Sequence, residues 1–292
     1  MLNVLITGAT GNVGIEVIKS LQKLSPSVNI VAGLRDTTAD SFKLKEYHVN
    51  TVKFDITDPS IFATAFKHID VIFLLRPPQI LEVKKYFEPL INSAIEALIQ
   101  HIVFLSVQGV EKSSFIPHYK IEKLIIGSKI PYTFLRPAYF MQNFTTTLRD
   151  NLVNNKLIYL PAGYAKFTLV DVKDIGNVAA MVLLNTGNHV SKVYELTCKQ
   201  KFTFFEMAAK LSGGLGVKIK FISPDLLTFY LKKRNEKMPV MLILVMIMLH
   251  YFPRFQKDPS VTDCIKMITQ KEPITFEQFI KDNKNLLVHS KV

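Results

Sequence analysis

The chain has 292 residues, 48% apolar and 21% charged, with 12 glycines and 14 prolines, which excludes a disordered, collagen-like or low-complexity protein. Its 36 Lys and Arg against 24 Asp and Glu give a net charge of +12 and raise nucleic acid, anionic membrane or an acidic ligand as partners. Cys198 and Cys264, without a CxxC pair, supply neither a disulfide framework nor a cysteine zinc site. No basic segment precedes the first apolar run, so a cytoplasmic protein is expected. Up to about residue 136, strand-length apolar runs (2–6, 28–34, 49–54, 70–75, 101–106 and 131–136) alternate with helix-period segments (12–24, 40–47, 59–66, 80–100 and 118–127). That alternation is the pattern of βαβ units in a parallel sheet, and runs apolar throughout suit strands covered on both faces. Beyond Pro137 it stops. A turn at Pro161-Ala162-Gly163, a strand FTLV, a helix near Asp171 and a strand at 193–197 follow, and Thr203 with Glu206 and Thr275 with Gln278 have capping-box spacing.

The longest apolar run, 238–252, is too short to span a membrane and reads as a buried helix, with Lys232, Lys233, Arg234 and Lys237 ahead of it leaving a surface anchor as the lesser alternative. The fold class expected is α/β: a doubly wound parallel sheet over residues 1–157, to which 167–198 return, and a smaller, mainly helical substrate subdomain over 199–292. The latter holds 16 basic and 8 acidic residues without a recognition motif, so neither nucleic acid nor a membrane is expected as partner.

The strongest chemical signal is Gly8-Ala9-Thr10-Gly11-Asn12-Val13-Gly14, which directly follows the first strand and opens the first helix. A dinucleotide pyrophosphate needs backbone N–H donors at a helix N-terminus and room for close approach, so glycines occupy the tight turn and the helix–strand contact. The spacing is GxxGxxG.

This loop resembles that of the extended and atypical short-chain dehydrogenases/reductases, a Rossmann-fold superfamily. HIVFLSVQGV (101–110), IPHYKIEKLI (116–125), IPYTFLRPAYFMQNF (130–144) and TLVDVKDIGNVAAMVL (168–183) are similar, in order, to the NmrA-like family. That resemblance implies a Rossmann fold, bound NADP(H), and either reduction of a quinone-like or conjugated carbonyl acceptor or a catalytically silent role in sensing NADP(H) through a protein partner.

Strand 2 ends Gly33-Leu34-Arg35, where an NAD site usually carries a carboxylate. A guanidinium suits a 2′-phosphate, so NADP(H) is preferred with NAD(H) as the alternative. The resemblance places Asp55 and Ile56 against adenine, and Leu75, Arg76 and Pro77 along the ribose and nicotinamide. With Thr7, Gly8, Thr10, Gly11, Asn12 and Val13 of the loop, and with Ser106, His118 and Pro137, these make up the expected cofactor set.

Tyr119 and Lys123 form a literal YxxxK, the pair that protonates a carbonyl in short-chain dehydrogenases. Counted from Pro131 and Glu122, however, the family's Lys position falls on His118 and its Tyr position on Ser114, so the dyad is absent by register. His118, Tyr119 and Asn143 stand as catalytic candidates, His118 as a neutral hydrogen-bonding group because a helix N-terminus depresses its pKa. Tyr139, Phe140 and Asn143 are expected to face a small planar substrate such as a quinone, while Met141 and Phe144 belong to the core.

Overall fold

The computed structural model describes residues 1–288; the last four positions of the expected 199–292 subdomain lie outside the described residues. The strands β1 (Asn3–Ile6), β2 (Asn29–Leu34), β3 (Asn50–Lys53), β4 (Val71–Leu75), β5 (His101–Leu105) and β6 (Tyr132–Pro137) alternate with the helices α1 (Asn12–Leu24), α2 (Phe62–Ala65), α3 (Val83–Glu96) and α4 (Pro117–Ser128). Then come β7 (Tyr139–Phe140), α5 (Arg149–Asn155), β8 (Leu157–Tyr159), β9 (Phe167–Val170), α6 (Val172–Leu184) and β10 (Lys192–Leu196). The remainder is β11 (Lys201–Phe202), α7 (Phe204–Leu215), β12 (Lys220–Ile222), α8 (Leu226–Asn235), α9 (Val240–Tyr251), α10 (Cys264–Thr269), α11 (Phe276–Asp282) and α12 (Lys284–Val288).

By contact the chain forms two units. The first holds residues 1–138, 172–196 and 263–272, and the second 139–171, 197–262 and 273–292. In the first, seven parallel strands lie in the order β10-β6-β5-β4-β1-β2-β3. This is the doubly wound Rossmann arrangement, whose order reverses between β1 and β4. The six expected strands are all present and β10 adds a seventh. Its core is aliphatic and aromatic, with Leu5, Phe73, Phe87, Phe104 and Phe134 fully buried.

The second unit has its own core, around Met141, Phe144, Leu152, Phe204, Phe229 and Phe279. Two small sheets, β11-β9-β7 and β12-β8, accompany its helices. The boundary expected at 157 therefore lies earlier, because residues 141–152 bury Met141, Phe144 and Leu152 in this second core and β9 pairs with β7. Thr203 and Glu206 make a full capping box, whereas Gln278 turns its amide to Asp282 and leaves Thr275 to cap alone.

Three helical expectations change. Residues 40–47 hold one 3-10 turn, Ser41–Leu44, because only Leu44 finds burial there. Asp58 caps a 3-10 turn at Pro59 before the short α2. The run 238–252, expected to be buried, forms α9 but sinks only Ile243, Met246 and His250. No helix among the described residues is long and apolar enough to cross a membrane.

Candidate functional site

The reversal between β1 and β4 opens a crevice at their carboxyl ends, where such folds receive ligands. Thr7 ties the two strands together there: its hydroxyl donates to the Phe73 carbonyl at 3.1 Å and accepts the Leu75 amide at 2.8 Å. Both hydrogen-bonding functions of this predicted cofactor residue therefore serve the sheet.

The chain leaves β1 through Gly8, at φ +62°, and the Gly11 amide closes the turn on the Gly8 carbonyl at 3.0 Å. Gly11 precedes α1 in extended conformation. No side chain caps this helix and no acidic residue occupies its first turn, so the leading amides face outward without an intrahelical acceptor. Gly8, Gly11 and Asn12 are exposed, Thr10 is half-buried, and Ala9 and Val13 anchor the loop in the core. A Cβ at Gly14 would stand 2.3 Å from the Gly8 carbonyl oxygen and 2.8 Å from the Ala9 Cα, so only glycine lets helix and loop approach this closely. Free leading amides at the positive end of a helix fit a dinucleotide pyrophosphate.

Arg35 is exposed just beyond β2, and Asp36 turns its carboxylate onto its own loop, accepting the Thr38 and Ala39 amides at 2.8 and 3.0 Å. The strand end therefore presents a cation, while the adjacent acid is occupied. After β3, Asp55 is half-buried and accepts the Thr57 amide and hydroxyl at 2.9 and 2.7 Å, and the Ile56 side chain is buried.

Arg76 turns back onto its own loop. Its Nη1 donates to the carbonyls of Pro77, Pro78 and Ile80 at 3.1, 3.1 and 2.6 Å, stapling the loop after β4. Its Nε donates to His118 Nε2 at 3.4 Å, which puts the His118 proton on Nδ1. Burial, and secondarily the Arg76 charge, push the His118 pKa down to about 3. The neutral imidazole expected from sequence is present, but its cause is burial and a guanidinium.

Tyr119 and Lys123 do not assemble a dyad: the Lys123 ammonium lies over the Tyr119 ring, 5.2 Å from its centroid. Ser106, at the end of β5, is 2% exposed, and its hydroxyl is the one buried side-chain polar atom without a hydrogen-bond partner among the described residues. An unpartnered buried hydroxyl is rare in a folded protein, and this one lies at the carboxyl edge of the sheet, where such folds receive ligands. Pro137 is buried at the end of β6, its carbonyl accepting the Gln108 amide at 3.0 Å.

Sequence reasoning missed the charge network behind these loops. Arg136 of β6 forks onto Glu122 of α4 at 3.0 and 2.7 Å and reaches Glu111 at 2.8 Å. Burial opposes its charge, but the carboxylates outweigh burial and raise its pKa. The signal available was a lone Arg in an apolar strand. The fork fixes α4, and with it His118, against β6.

In the second unit, Tyr139 packs among Phe167, Phe204 and His250. His250 Nδ1 lies 2.6 Å from the Met246 carbonyl and so carries the proton, leaving Nε2 to accept from the Tyr139 hydroxyl at 3.2 Å. Burial pushes the Tyr139 pKa up and the His250 pKa down to about 4. Tyr139, expected to face substrate, thus spends its hydroxyl inside this unit. Phe140 and Asn143 are half-buried, and Met141 and Phe144 lie in the core as expected.

The sequence profile of the NmrA-like family matches residues 2–280. "Prestalk A differentiation protein A" of Dictyostelium discoideum is 29% identical over 96% of this chain and 92% of its own length. The "NAD(P)H azoreductase" of Xenophilus azovorans is 26% identical over 95% and 96%. Among solved structures, the triphenylmethane reductase of Citrobacter sp., complexed with NADP(H), superposes with a TM-score of 0.85 at 24% identity, covering 96% of this chain and 99% of that one. At that identity the structural likeness speaks to the fold.

Proposed function

The chain belongs to the NmrA-like family, and from that premise we propose that it is an NAD(P)H-dependent oxidoreductase, preferring NADPH, that delivers hydride to a small, flat, electron-poor acceptor such as a quinone or an azo dye. The observation that carries this reading is the uncapped head of α1, where Gly8, Gly11 and Gly14 shape a cradle of free amides. The azoreductase relative, similar over nearly its full length, supports the reaction class.

When bound, the dinucleotide supplies hydride from C4 of its nicotinamide. The amides of Asn12 and Val13 would hold the pyrophosphate, with Gly8, Thr10 and Gly11 shaping the approach, and Arg35 would take the 2′-phosphate. Asp55 and the Ile56 backbone would receive adenine. Leu75 and Pro77 line the way to the nicotinamide, and Ser106 and Pro137 sit at the ends of the neighbouring strands. Thr7 and Arg76 act by holding their loops in place.

His118, neutral and with its proton on Nδ1, orients a ligand by hydrogen bonding and does not serve as an acid. Tyr119, without a lysine at its hydroxyl, has no dyad role. Phe140 and Asn143 would contact the acceptor. A quinone takes its proton from water, so the protein's task is orientation.

Purified protein given NADPH and a panel of quinones and azo dyes is expected to consume NADPH, followed by nicotinamide absorbance. NADPH binding without consumption above buffer for any acceptor would overturn the enzyme and leave a dinucleotide sensor acting through a protein partner.

A further inference from the structure

We propose that α9, with the end of α8 and the turn after α9, is a docking surface for an anionic lipid bilayer. This goes beyond the oxidoreductase reading and does not depend on it. The α9 sequence VMLILVMIMLHY contains one strongly polar residue, His250, and that residue is buried. Ile243, Met246 and His250 occupy a narrow arc of the helix, and they alone are fully buried. Met241, Leu244, Met248 and Leu249 are 42–49% exposed, Phe252 is 54% and Phe255 71%. Hydropathy alone would bury such a helix; here most of its circumference meets water. Contiguous apolar surface of this kind marks an interaction site.

The surrounding charge selects the occupant. Residues 226–257 contain six basic side chains and a single acid, Glu236, which is paired with Lys233 at 2.7 Å. Arg234, Lys237, Arg254 and Lys257 are exposed. A second copy of the same face would bring these cations against their equivalents, whereas anionic headgroups would pair with them. Twelve residues of α9 make a helix of about 18 Å, too short for the roughly 30 Å hydrocarbon layer. The helix would therefore lie in the plane of the interface, its apolar face in the acyl boundary and the cations at the headgroups.

The test uses the full chain sedimented with vesicles of phosphatidylcholine alone or of phosphatidylcholine with phosphatidylserine. Binding is expected for the anionic mixture, weak for phosphatidylcholine alone, and falling with added salt. Each of Arg234→Glu and Lys257→Glu should lower partitioning about fivefold or more. Leu244→Asp with Met248→Asp, both on the exposed face, should lower it at least about tenfold while the melting temperature and NADPH affinity stay unchanged. No binding to either vesicle, equal binding to both, or undiminished binding of the Leu244→Asp/Met248→Asp variant overturns the proposal. So does a dimer that this variant dissociates while the wild type ignores vesicles, which would assign the face to self-association.

Discussion

At Gly14 the loop and the first helix touch so closely that a methyl group has nowhere to go, since the opposing atoms are backbone. Gly14→Ala is expected to cost about 1–3 kcal/mol of stability in urea unfolding and to weaken NADPH binding by more than tenfold in calorimetry, because the amides move with the loop. Arg35→Ala removes no packing, the side chain being exposed. A charge-assisted hydrogen bond is worth about 1.5–3 kcal/mol, so NADPH affinity should fall roughly 10- to 100-fold while NADH affinity barely changes; equal losses would remove Arg35 from the 2′-phosphate. With its pKa held near 3, His118 should contribute no ionisation to kcat/KM between about pH 5 and 8. A limb in that range that disappears in His118→Gln would contradict the neutral role. The glycine loop was legible in the sequence because backbone geometry restricts the residue type. The contacts of Arg76 with His118 and of Tyr139 with His250 were not, because those partners lie 42 and 111 residues away and only folding brings them near.

Among the elements, the fork from Arg136 to Glu122 joins β6 to α4 with both side chains largely out of water, at 15% and 6% exposure. Glu122→Leu strands a cation that Glu111 only partly compensates, so a loss of about 3 kcal/mol is expected in urea unfolding. Adding Arg136→Met should recover much of that loss; no recovery would mean that Glu122 matters for packing alone. Five of the six expected strands were readable because each is an apolar run covered on both faces; the edge strand β3, with no residue buried, was readable from its place in the alternation. The α9 helix was readable as a helix but not in its orientation. A polar stripe normally tells which side faces water, and this helix has none; its one histidine points inward to Tyr139. The 40–47 segment misled for the opposite reason, its helical spacing lacking enough apolar residues to be held.

Across the molecule, four histidines of the described residues, His101, His118, His189 and His250, have pKa values lowered by burial. His101 and His250 are buried, with pKa values lowered to about 4, and His118 is lowered to about 3, burial being the main cause in each. Between the unfolded value near 6.5 and these folded values the unfolded chain binds more protons. Stability is therefore complete above about pH 6.5 and is lost as pH falls toward 4. At about pH 5, His101 and His250 should each cost roughly 2 kcal/mol, seen as a falling melting temperature. His101→Gln with His250→Gln should flatten that fall, and a wild-type melting temperature constant from about pH 7 to 5 would refute the assignment. The net charge of +12, which first suggested a polyanion, is concentrated toward the carboxyl-terminal third.

The division of the chain has a further consequence for how the protein is made. It passes between the two units five times, and β10, the partner of β6, is synthesised only after β7, α5, β8, β9 and α6. On the ribosome the outer edge of β6 must wait, unpaired, for more than fifty residues, a template for wrong partners throughout that interval. A fragment ending at residue 157 would make the wait permanent, and it is expected to express as aggregate while the full chain is soluble.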